Sequence, residues 1–485
     1  MWTPPWIAAA GRPGRLLFAS PANQEAGVPI AETVLRPAPG RRSRWVVDIA
    51  LEMGRHGVLP FFVDTWREYG DLCRLEIGSR SMFLAVHPEH LRHIAVTGRD
   101  RYDKRASYDV VRRLLLGDGL ITSTGDLWRR QRRWMAPFFT PRAVEQYAPL
   151  ITAEGWRLIE RWQALAQAGR PVEMVDEMMA VTAAIILRSV FSMAPGAELH
   201  RIKNDVETMI GFTALFQMRP FQPPLWVPTG RNRGYRAARR RVDAFINGLI
   251  AARRSQPEVG WPDDLLSKLM RARDESTGAG MSEQLLRDEA VTLFFAGHET
   301  TARTLTFAWF ALSQNPGVLA RLQAEVDRQL GDREPTPADL AAMPYALQVI
   351  KETLRLQPPA PMYVRDAVTD DILDGVRIPA GSRVLLLPYC THRHPDFWPD
   401  AESFEPARWE AEAESRRHPY AYHPFAAGPR VCLGNSFSLF ESHLLLVMLA
   451  RRFSASMKPG HDPKIDMAGT LVARNGIPLQ ISLRA

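Results

Sequence analysis

The chain has 485 residues, of which 46% are hydrophobic and 24% are charged; this composition allows a large core and excludes disordered and fibrous proteins. The net charge of +8 comes mostly from arginines spread between apolar helical stretches, so we expect no nucleic acid as a partner. The three cysteines, Cys73, Cys390 and Cys432, are far apart, which excludes a disulfide framework or a CxxC metal site and fits a reducing cytoplasm.

The first 43 residues differ in composition from the rest of the chain. They are rich in Pro, Gly, Ala and Arg without periodicity, which predicts a poorly ordered N-terminal extension. We expect one folded domain over residues 44–485. No window reaches the roughly 18 uninterrupted apolar residues that cross a bilayer. We therefore expect a cytoplasmic protein without a transmembrane anchor.

Two segments in the first third of the chain show regular patterns. Apolar and polar residues alternate between Asp71 and Val86, which predicts a β-hairpin. Helical periodicity dominates from residue 88 to about residue 360. Within it, Trp128 and Arg132 lie one helical turn apart, so we expect both side chains on the same face of one helix.

One long helix is predicted in the middle of the chain. Ser282 is a suitable N-cap, and the helix should end at Asn315 because Pro316 disfavours helix at the residue before it. Its length of about 32 residues corresponds to roughly 48 Å at 1.5 Å per residue. Its middle is apolar on all sides, which predicts a central, buried helix.

The centre of this helix carries residues that are rare in a helix core. Gly297 costs up to about 1 kcal/mol in a helix interior, and a buried acid such as Glu299 needs a partner. The segment from Ala296 to Thr301 therefore favours a function over simple packing. The alternative for Thr300 is a hydroxyl that bonds back to a preceding backbone carbonyl.

The last third of the chain contains shorter patterns. Glu352 and Arg355 stand at positions i and i+3, a spacing that is weak evidence on its own because many surface helices have it. A strand is predicted from Arg383 to Leu387, and a final helix from about Leu433 to Arg452.

The loop FAAGPRVCLG precedes this final helix. Cys432 stands at the helix N-terminus, where free backbone N–H groups and the helix dipole favour a thiolate that can bind a metal. Gly428 and Gly434 allow the backbone to approach a flat ligand. Phe425 can pack beside the sulfur, and Arg430 supplies a cation for a ligand carboxylate. The alternative is an inert, buried cysteine.

This loop matches F-x-x-G-x-R-x-C-x-G at every fixed position and resembles the haem-ligand loop of the cytochrome P450 superfamily. Other segments resemble motifs of the same superfamily in the same order: WRRQR, AGHETT, and ETLR followed by FEPARW. The resemblance covers residues 44–485 and is nearer to soluble bacterial members. It implies a mainly α-helical cytochrome P450 fold with a small β region, which encloses haem b, iron protoporphyrin IX, between the long helix and the cysteine loop.

The resemblance also implies roles for individual residues. Cys432 would be the axial ligand of the haem iron, Gly297 would leave space for oxygen and substrate beside Ala296, and Glu299 and Thr300 would deliver protons to bound dioxygen. The remaining side chains expected at the cofactor are Trp128, Arg132, Arg365, Phe425, Gly428, Arg430 and Gly434. The buried ion-pair cluster that supports the cysteine loop would consist of Glu352, Arg355 and Arg408.

A member of this superfamily would be a haem-thiolate monooxygenase. With dioxygen and two electrons it would hydroxylate or epoxidise a lipophilic small molecule such as a terpene, a fatty acid or a polyketide. The electrons would come from a separate protein, a ferredoxin with its ferredoxin reductase or an equivalent donor. We expect an acidic donor to dock on the basic cluster of Arg129, Arg130 and Arg133.

Three apolar segments are candidates for the substrate pocket, namely residues 212–226, 294–296 and 361–364, and plain core packing is the alternative for each. Two other functions remain open. A peroxygenase would use hydrogen peroxide, although Glu299 and Thr300 argue against it because peroxide needs no acid and alcohol for proton delivery. A non-catalytic haem carrier or gas sensor has no evident need for these two residues.

Overall fold

Helices make up most of the molecule. The computed structural model describes residues 35–43, 46–77, 80–193, 196–218, 223–274 and 277–484. The helices are α1 (Val46–His56), α2 (Val58–Tyr69), α3 (Pro88–Arg92), α4 (Arg105–Val111), α5 (Gly125–Met135), α6 (Pro141–Glu145), α7 (Ala148–Gln167), α8 (Met174–Phe191), α9 (Ala197–Met218), α10 (Gly230–Arg254), α11 (Leu265–Arg271), α12 (Glu283–Gln314), α13 (Pro316–Leu330), α14 (Pro344–Leu356), α15 (Pro388–Thr391), α16 (Ala411–Arg416) and α17 (Asn435–Arg452). The predicted mainly α-helical fold with a small β region is confirmed.

The strands are short and lie mainly before residue 104 and after residue 362. They are β1 (Gly40–Ser43), β2 (Leu72–Ile77), β3 (Arg80–Ala85), β4 (Tyr102–Asp103), β5 (Val172–Glu173), β6 (Tyr363–Ala367), β7 (Asp371–Leu373), β8 (Val376–Ile378), β9 (Arg383–Leu386), β10 (Phe453–Met457), β11 (Ile465–Ala468), β12 (Thr470–Ala473) and β13 (Pro478–Leu483). The largest sheet has the order β1-β2-β3-β9-β6-β4, and smaller sheets have the orders β10-β13-β5, β11-β12 and β7-β8.

The predicted hairpin and the predicted strand after residue 383 meet in the largest sheet. β2 and β3 pair antiparallel, with Leu72 opposite Ala85. β9 runs parallel to β3 and antiparallel to β6, with Val384 opposite Arg365. The hairpin and the strand are therefore confirmed. The sheet also fixes the backbone of Arg365, one of the residues expected at the cofactor.

β1 lies just before the predicted start of the domain at residue 44. It pairs parallel with β2, with Gly40 opposite Arg74, so residues 40–43 belong to the same sheet as the hairpin. Residues 1–34 of the predicted N-terminal extension lie outside the described residues.

α12 is the long helix predicted from the sequence. The Ser282 side chain accepts a hydrogen bond from the Leu285 backbone N–H, and Asn315 is the C-cap. Both predicted ends are thus confirmed. The helix packs most extensively on α8 and also contacts α14, α17 and β10, so it lies in the centre of the molecule as its apolar surface requires.

Aromatic rings join α12 to α7 and β10 in the core. Trp309 of α12 and Trp162 of α7 have ring centroids 5.5 Å apart, and Trp162 lies 5.4 Å from Phe453 of β10. All three side chains are buried. Edge-to-face pairs of this kind add about 0.5–1.5 kcal/mol each beyond the burial of their surface.

Candidate active site

The Cys432 loop ends in a turn that leads directly into α17. The Cys432 N–H donates to the carbonyl of Phe425 at 2.8 Å, which closes the loop. α17 begins at Asn435, two residues later than predicted, because Gly434 is its N-cap. The helix N-terminus therefore lies beside the sulfur, as the sequence indicates.

Cys432 differs from the other two cysteines in its exposure. Cys73 and Cys390 are buried, whereas Cys432 is exposed. Burial raises the pKa of the Cys73 and Cys390 thiols to about 12, so the inert alternative describes these two residues. It does not describe Cys432.

The surroundings of the Cys432 sulfur have two opposing effects on the pKa of its thiol. Although the side chain is accessible, the protein around it displaces bulk water, and this desolvation raises the pKa of the thiol. The Gly434 N–H and the Arg132 guanidinium lower the pKa and only partly offset the desolvation. The helix N-terminus alone therefore does not produce the predicted thiolate. A bound metal cation would supply the missing stabilisation.

Gly428 and Gly434 occupy their positions in the loop for different structural reasons. Gly428 has a φ of +67°, and a Cβ there would overlap the carbonyl oxygen of Ala95. Gly428 thus has a packing reason of its own against the Ala95 backbone, and its place at the cofactor stays a prediction. At Gly434 a Cβ would meet no atom within 4 Å. The open space at Gly434 fits a flat ligand that approaches the loop.

α5 supports the cysteine loop through the two residues predicted to share one of its faces. The Arg132 Nη1 donates to the Val431 carbonyl at 2.8 Å. The Arg430 guanidinium lies 3.8 Å from the centroid of the Trp128 ring, and its Nη1 donates to the Ser123 carbonyl at 3.0 Å. Arg430 is thus held in one orientation by stacking and by a backbone acceptor.

A cavity of about 510 Å³ lies between this loop, α5 and β6. Two acids line it, Asp100 and Asp103, and its cations outnumber them: Arg99, Lys104, Arg129, Arg365 and Arg430. Desolvation and the neighbouring Arg365 lower the pKa of Arg430 to about 10. Desolvation also lowers the pKa of Lys104, and the positive charges of Arg430 and Arg365 lower it further. A ligand with two carboxylates, such as the propionates of haem, matches this excess of desolvated positive charge.

Lys104 was not among the residues that the sequence singled out. It is a lone lysine just before α4, outside any recognisable motif. Only its place beside Arg365 and Arg430, which lie more than 250 residues away in the chain, shows its relation to the cavity.

The AGHETT segment of α12 reaches the beginning of α17. The Thr301 Oγ1 donates to the Ser438 Oγ at 3.1 Å, and Ser438 lies six residues after Cys432. The Thr300 hydroxyl donates to the Ala296 carbonyl at 2.8 Å, the alternative that the sequence left open. Its lone pairs stay available as acceptors.

Gly297 has a packing role. A Cβ at this position would lie 2.5 Å from the Ile186 Cδ1 of α8. Ile186 occupies the position that a side chain at residue 297 would take, and the role of Gly297 in leaving space for oxygen and substrate stays a prediction. The glycine allows α8 and α12 to approach closely.

The side chain of Glu299 has two partners. Its Oε1 accepts a hydrogen bond from the Thr470 hydroxyl at 2.6 Å and lies 3.5 Å from the Arg303 Nη2. A partly buried acid therefore finds the partners that its position requires. Thr470 lies in β12 and was not identified from the sequence.

Parts of the predicted substrate segments pack in the core. Phe212 stacks on Tyr235 of α10 with ring centroids 4.3 Å apart, and Phe294 stacks on His298 at 4.6 Å. Core packing therefore describes these two residues. Trp226 is 76% exposed, and residues 219–222 of the same segment lie outside the described residues.

Glu352, Arg355 and Arg408 meet in the interior as one cluster. Arg355 makes a bidentate contact with Glu352, at 2.9 Å and 2.7 Å, and the Arg408 Nε lies 3.4 Å from the same carboxylate. Trp409 donates to Glu352 at 2.9 Å. Neither Glu352 nor Arg355 is accessible to solvent, so removal of one charge would cost about 3–5 kcal/mol.

Two histidines connect this cluster to the cysteine loop. The His392 Nε2 accepts the His423 backbone N–H at 2.9 Å, and its Nδ1 lies 3.2 Å from the Arg355 carbonyl. Because Nε2 is an acceptor, Nδ1 carries the proton. Desolvation lowers the pKa of His392 far below its usual value, which keeps the ring neutral. His423 precedes Phe425 by two residues, so the chain of contacts ends at the loop.

Comparisons with known proteins agree with this geometry. The model of the family described as Cytochrome P450 matches residues 37–483. Cyclooctatin synthase from Streptomyces melanosporofaciens is 35% identical over 435 residues, which cover 88% of this chain and 93% of the relative. Pentalenene oxygenase from Streptomyces avermitilis is 29% identical and covers 87% of this chain and 92% of its own length. The crystal structure of the cytochrome P450DA haem domain has a TM-score of 0.84 at 28% identity, over 93% of this chain and 99% of that chain.

The fold and these similarities define a haem-dependent monooxygenase. The chain belongs to the cytochrome P450 family. The predicted family, fold, haem cofactor and enzyme class are confirmed, and with them the use of dioxygen, a lipophilic substrate and a redox partner. In the described part of the chain, no helix has the length and hydropathy needed to cross a bilayer.

Proposed function

We propose that Cys432 is the axial ligand of the haem iron. The observation that carries this proposal is the accessible Cys432 sulfur at the start of α17, two residues after Arg430, which lines the cavity with an excess of cations. When bound, haem with a thiolate ligand activates dioxygen by pushing electron density towards it and favouring cleavage of the O–O bond. The protein holds the ligand, excludes water and supplies protons.

The cationic cavity is the site for the two haem propionates. Arg430, Arg365 and Lys104 line this cavity, and Trp128 holds Arg430 by stacking. Arg132 would contribute less directly, because one of its nitrogens is already bound to the Val431 carbonyl. Phe425 and Gly434 shape the loop around the sulfur.

Glu299 and Thr300 are the proton-delivering pair. Thr300 donates to the Ala296 carbonyl, so the lone pairs of its oxygen can accept a hydrogen bond from a neighbouring water and orient that water for proton transfer. Glu299 lies 12% exposed beside Arg303 and can exchange protons with solvent. Ala296 has a small side chain that leaves room on this face of the helix.

The substrate class is a terpene. Support comes from relatives whose names describe such compounds: pentalenene oxygenase, and a cyclooctat-9-en-7-ol 5-monooxygenase from Streptomyces melanosporofaciens that is 32% identical over 401 residues, 82% of this chain and 85% of its own length. The electron donor is a ferredoxin that recognises the arginines exposed on α5, and the reaction takes place in the cytoplasm.

The test uses the purified holoenzyme with a ferredoxin, its reductase and two probes, pentalenene and cyclooctat-9-en-7-ol. We expect at least one probe to displace the iron-bound water in the visible spectrum and to yield a product heavier by one oxygen atom. A product formed with hydrogen peroxide but not with the reductase would identify a peroxygenase. Binding of a probe without any oxidation would favour a haem carrier and contradict the proposal.

A further inference from the structure

The hydroxyl of Thr470 reaches Glu299 from a distant part of the chain. Thr470 is the first residue of β12, and its Oγ1 lies 2.6 Å from the Glu299 Oε1, 171 residues earlier. Arg303, one helical turn after Glu299, approaches the same oxygen at 3.5 Å, and both side chains of this ion pair are 12% exposed. A hydrogen bond from a neutral donor to a carboxylate is strong under such limited solvation.

Both contacts are made to one carboxylate oxygen. No described residue makes a hydrogen bond to the Glu299 Oε2. A carboxylate anchored through Oε1 keeps one orientation, and its second oxygen remains available to exchange a proton. Loss of the Thr470 contact would leave only the longer contact to Arg303, which a flexible arginine holds less firmly.

The backbone around Thr470 is fixed on both sides. β11 and β12 form a tight hairpin in which Ala468 pairs with Thr470, and Gly469 adopts a φ of +90° between them. The Leu471 N–H donates to the Pro359 carbonyl at 3.0 Å, and the Leu471 side chain is buried. The hydroxyl is thus presented to Glu299 by a rigid part of the fold.

The hydroxyl has no other hydrogen bond among the described residues. Valine has the same shape and an equally good strand propensity, so strand formation does not explain a threonine here. We infer that Thr470 is a positioning residue: it holds the Glu299 Oε1 so that Oε2 exchanges the protons used in the reaction. The inference rests on the proposed role of Glu299.

The experiment compares variants of the holoenzyme with its ferredoxin and reductase. Thr470→Val removes the hydroxyl and keeps the shape, whereas Thr470→Ser keeps the hydroxyl. Thr208→Val is the matched control, since among the described residues this hydroxyl bonds only to the Asn204 carbonyl of its own helix. The probe is pentalenene or cyclooctat-9-en-7-ol, whichever the unmodified enzyme oxidises.

We expect Thr470→Val to lower kcat about tenfold and to increase the share of dioxygen released as hydrogen peroxide, with little change in the binding of the probe. Thr470→Ser should restore most of the activity, and Thr208→Val should leave it unchanged. An inactive Thr470→Ser variant, or a Thr470→Val variant as active as the unmodified enzyme, would overturn the inference.

Hydrogen exchange supplies a readout that does not depend on turnover. Because a hydrogen bond to a charged group changes an equilibrium by about tenfold or more, amide exchange over residues 465–473 should accelerate by that factor in Thr470→Val. If neither probe is oxidised, unchanged exchange alone rejects the inference.

Glu299→Gln separates the inference about Thr470 from the proposed role of Glu299. If Glu299→Gln retains full activity, the proposed role of Glu299 fails; if it loses activity while Thr470→Val does not, only the inference fails.

Discussion

The chemistry of the cysteine loop depends on a sulfur that the fold leaves accessible. Cys432 has the start of α17 on one side and Arg132 on the other, yet desolvation keeps a proton on the isolated thiol. The thiolate proposed here would therefore need a bound cation, because the surroundings stabilise its charge only in part. An iron-bound thiolate agrees with the accessible sulfur, with the neighbouring helix N-terminus and Arg132, and with the raised pKa of the thiol.

We expect Cys432→Ser to lose the long-wavelength absorption band of the reduced carbon monoxide complex that gives the family its name, because a serine oxygen is a poor electron donor to iron. Absorption spectroscopy of the reduced, carbon monoxide-treated holoenzyme measures this. Cys390→Ser is the control and should keep the band, since this thiol is buried. Retention of the band in Cys432→Ser would refute the axial assignment.

Glu289 is a buried acid on α12, two turns before the AGHETT segment. Its Oε2 accepts the Leu120 N–H at 3.1 Å, and the Gln131 side chain also lies close enough to act on the carboxyl group. Burial raises its pKa from 4.5 to about 8. In the folded protein this carboxyl group therefore carries its proton at neutral pH.

This shift predicts how stability depends on pH. Below about pH 4.5 Glu289 is protonated in both states and has no effect. Between about pH 4.5 and 8 only the unfolded chain releases the proton, so the free energy of unfolding falls by up to about 1.4 kcal/mol per pH unit. Glu289→Gln should remove this component, as measured by denaturant unfolding from pH 5 to 8. A pH dependence identical to that of the exposed control Glu283→Gln would contradict the prediction.

Contacts between elements that are distant in sequence give two glycines of the motifs packing roles that the sequence does not reveal. A motif shows which residue type is present, but it does not show towards which neighbour the missing side chain would point. Gly297 points at Ile186 and Gly428 at the Ala95 backbone. Both positions depend on elements that are remote in sequence, so local patterns cannot reveal them.

We expect Gly297→Ala to destabilise the protein by about 1–3 kcal/mol, because the added methyl group meets Ile186 in a packed interface. Gly297→Ala combined with Ile186→Val should recover part of this loss. Gly248→Ala is the control: this glycine lies in α10 with no atom near its Cβ position, and alanine should stabilise the helix slightly. Thermal unfolding measures all three. Equal effects of Gly297→Ala and Gly248→Ala would exclude the close approach.

Features with local signals were predictable from the sequence. The ends of α12 follow from Ser282 and Pro316, and the hairpin of β2 and β3 follows from alternation. The cluster of Glu352 and Arg355 and the place of Arg365 came from motif resemblance. Lys104, His392 and Thr470 were missed, because each acts through a contact more than thirty residues away along the chain.

The surface of the molecule is basic at α5, the helix that supports the cysteine loop. Arg130 and Arg133 are exposed on α5, the helix whose Arg132 holds the cysteine loop. Arg129 pairs with Asp126 and lines the cavity. Arg133 lies 3.6 Å from the Asp274 carboxylate, and its side chain is 68% exposed. A partner with an acidic surface would be attracted to this side.

We expect the double variant Arg130→Glu with Arg133→Glu to be reduced by ferredoxin at least about tenfold more slowly at low salt, and the difference should shrink at high salt because exposed charges are screened. Stopped-flow measurement of haem reduction tests this. Arg240→Glu, an exposed position on α10, should have little effect. An unchanged rate in the double variant would remove α5 from the docking surface.

The bond between Arg132 and the Val431 carbonyl joins residues 299 positions apart. During synthesis at about 5–20 residues per second, α5 therefore leaves the ribosome roughly 15 to 60 seconds before the loop that it supports. The proposed propionate-binding residues Lys104, Arg365 and Arg430 come from three separate parts of the chain, so on that assignment a nascent chain would have no complete site for the cofactor until its last helix emerges. Haem loading would then be a late step in the synthesis of each molecule.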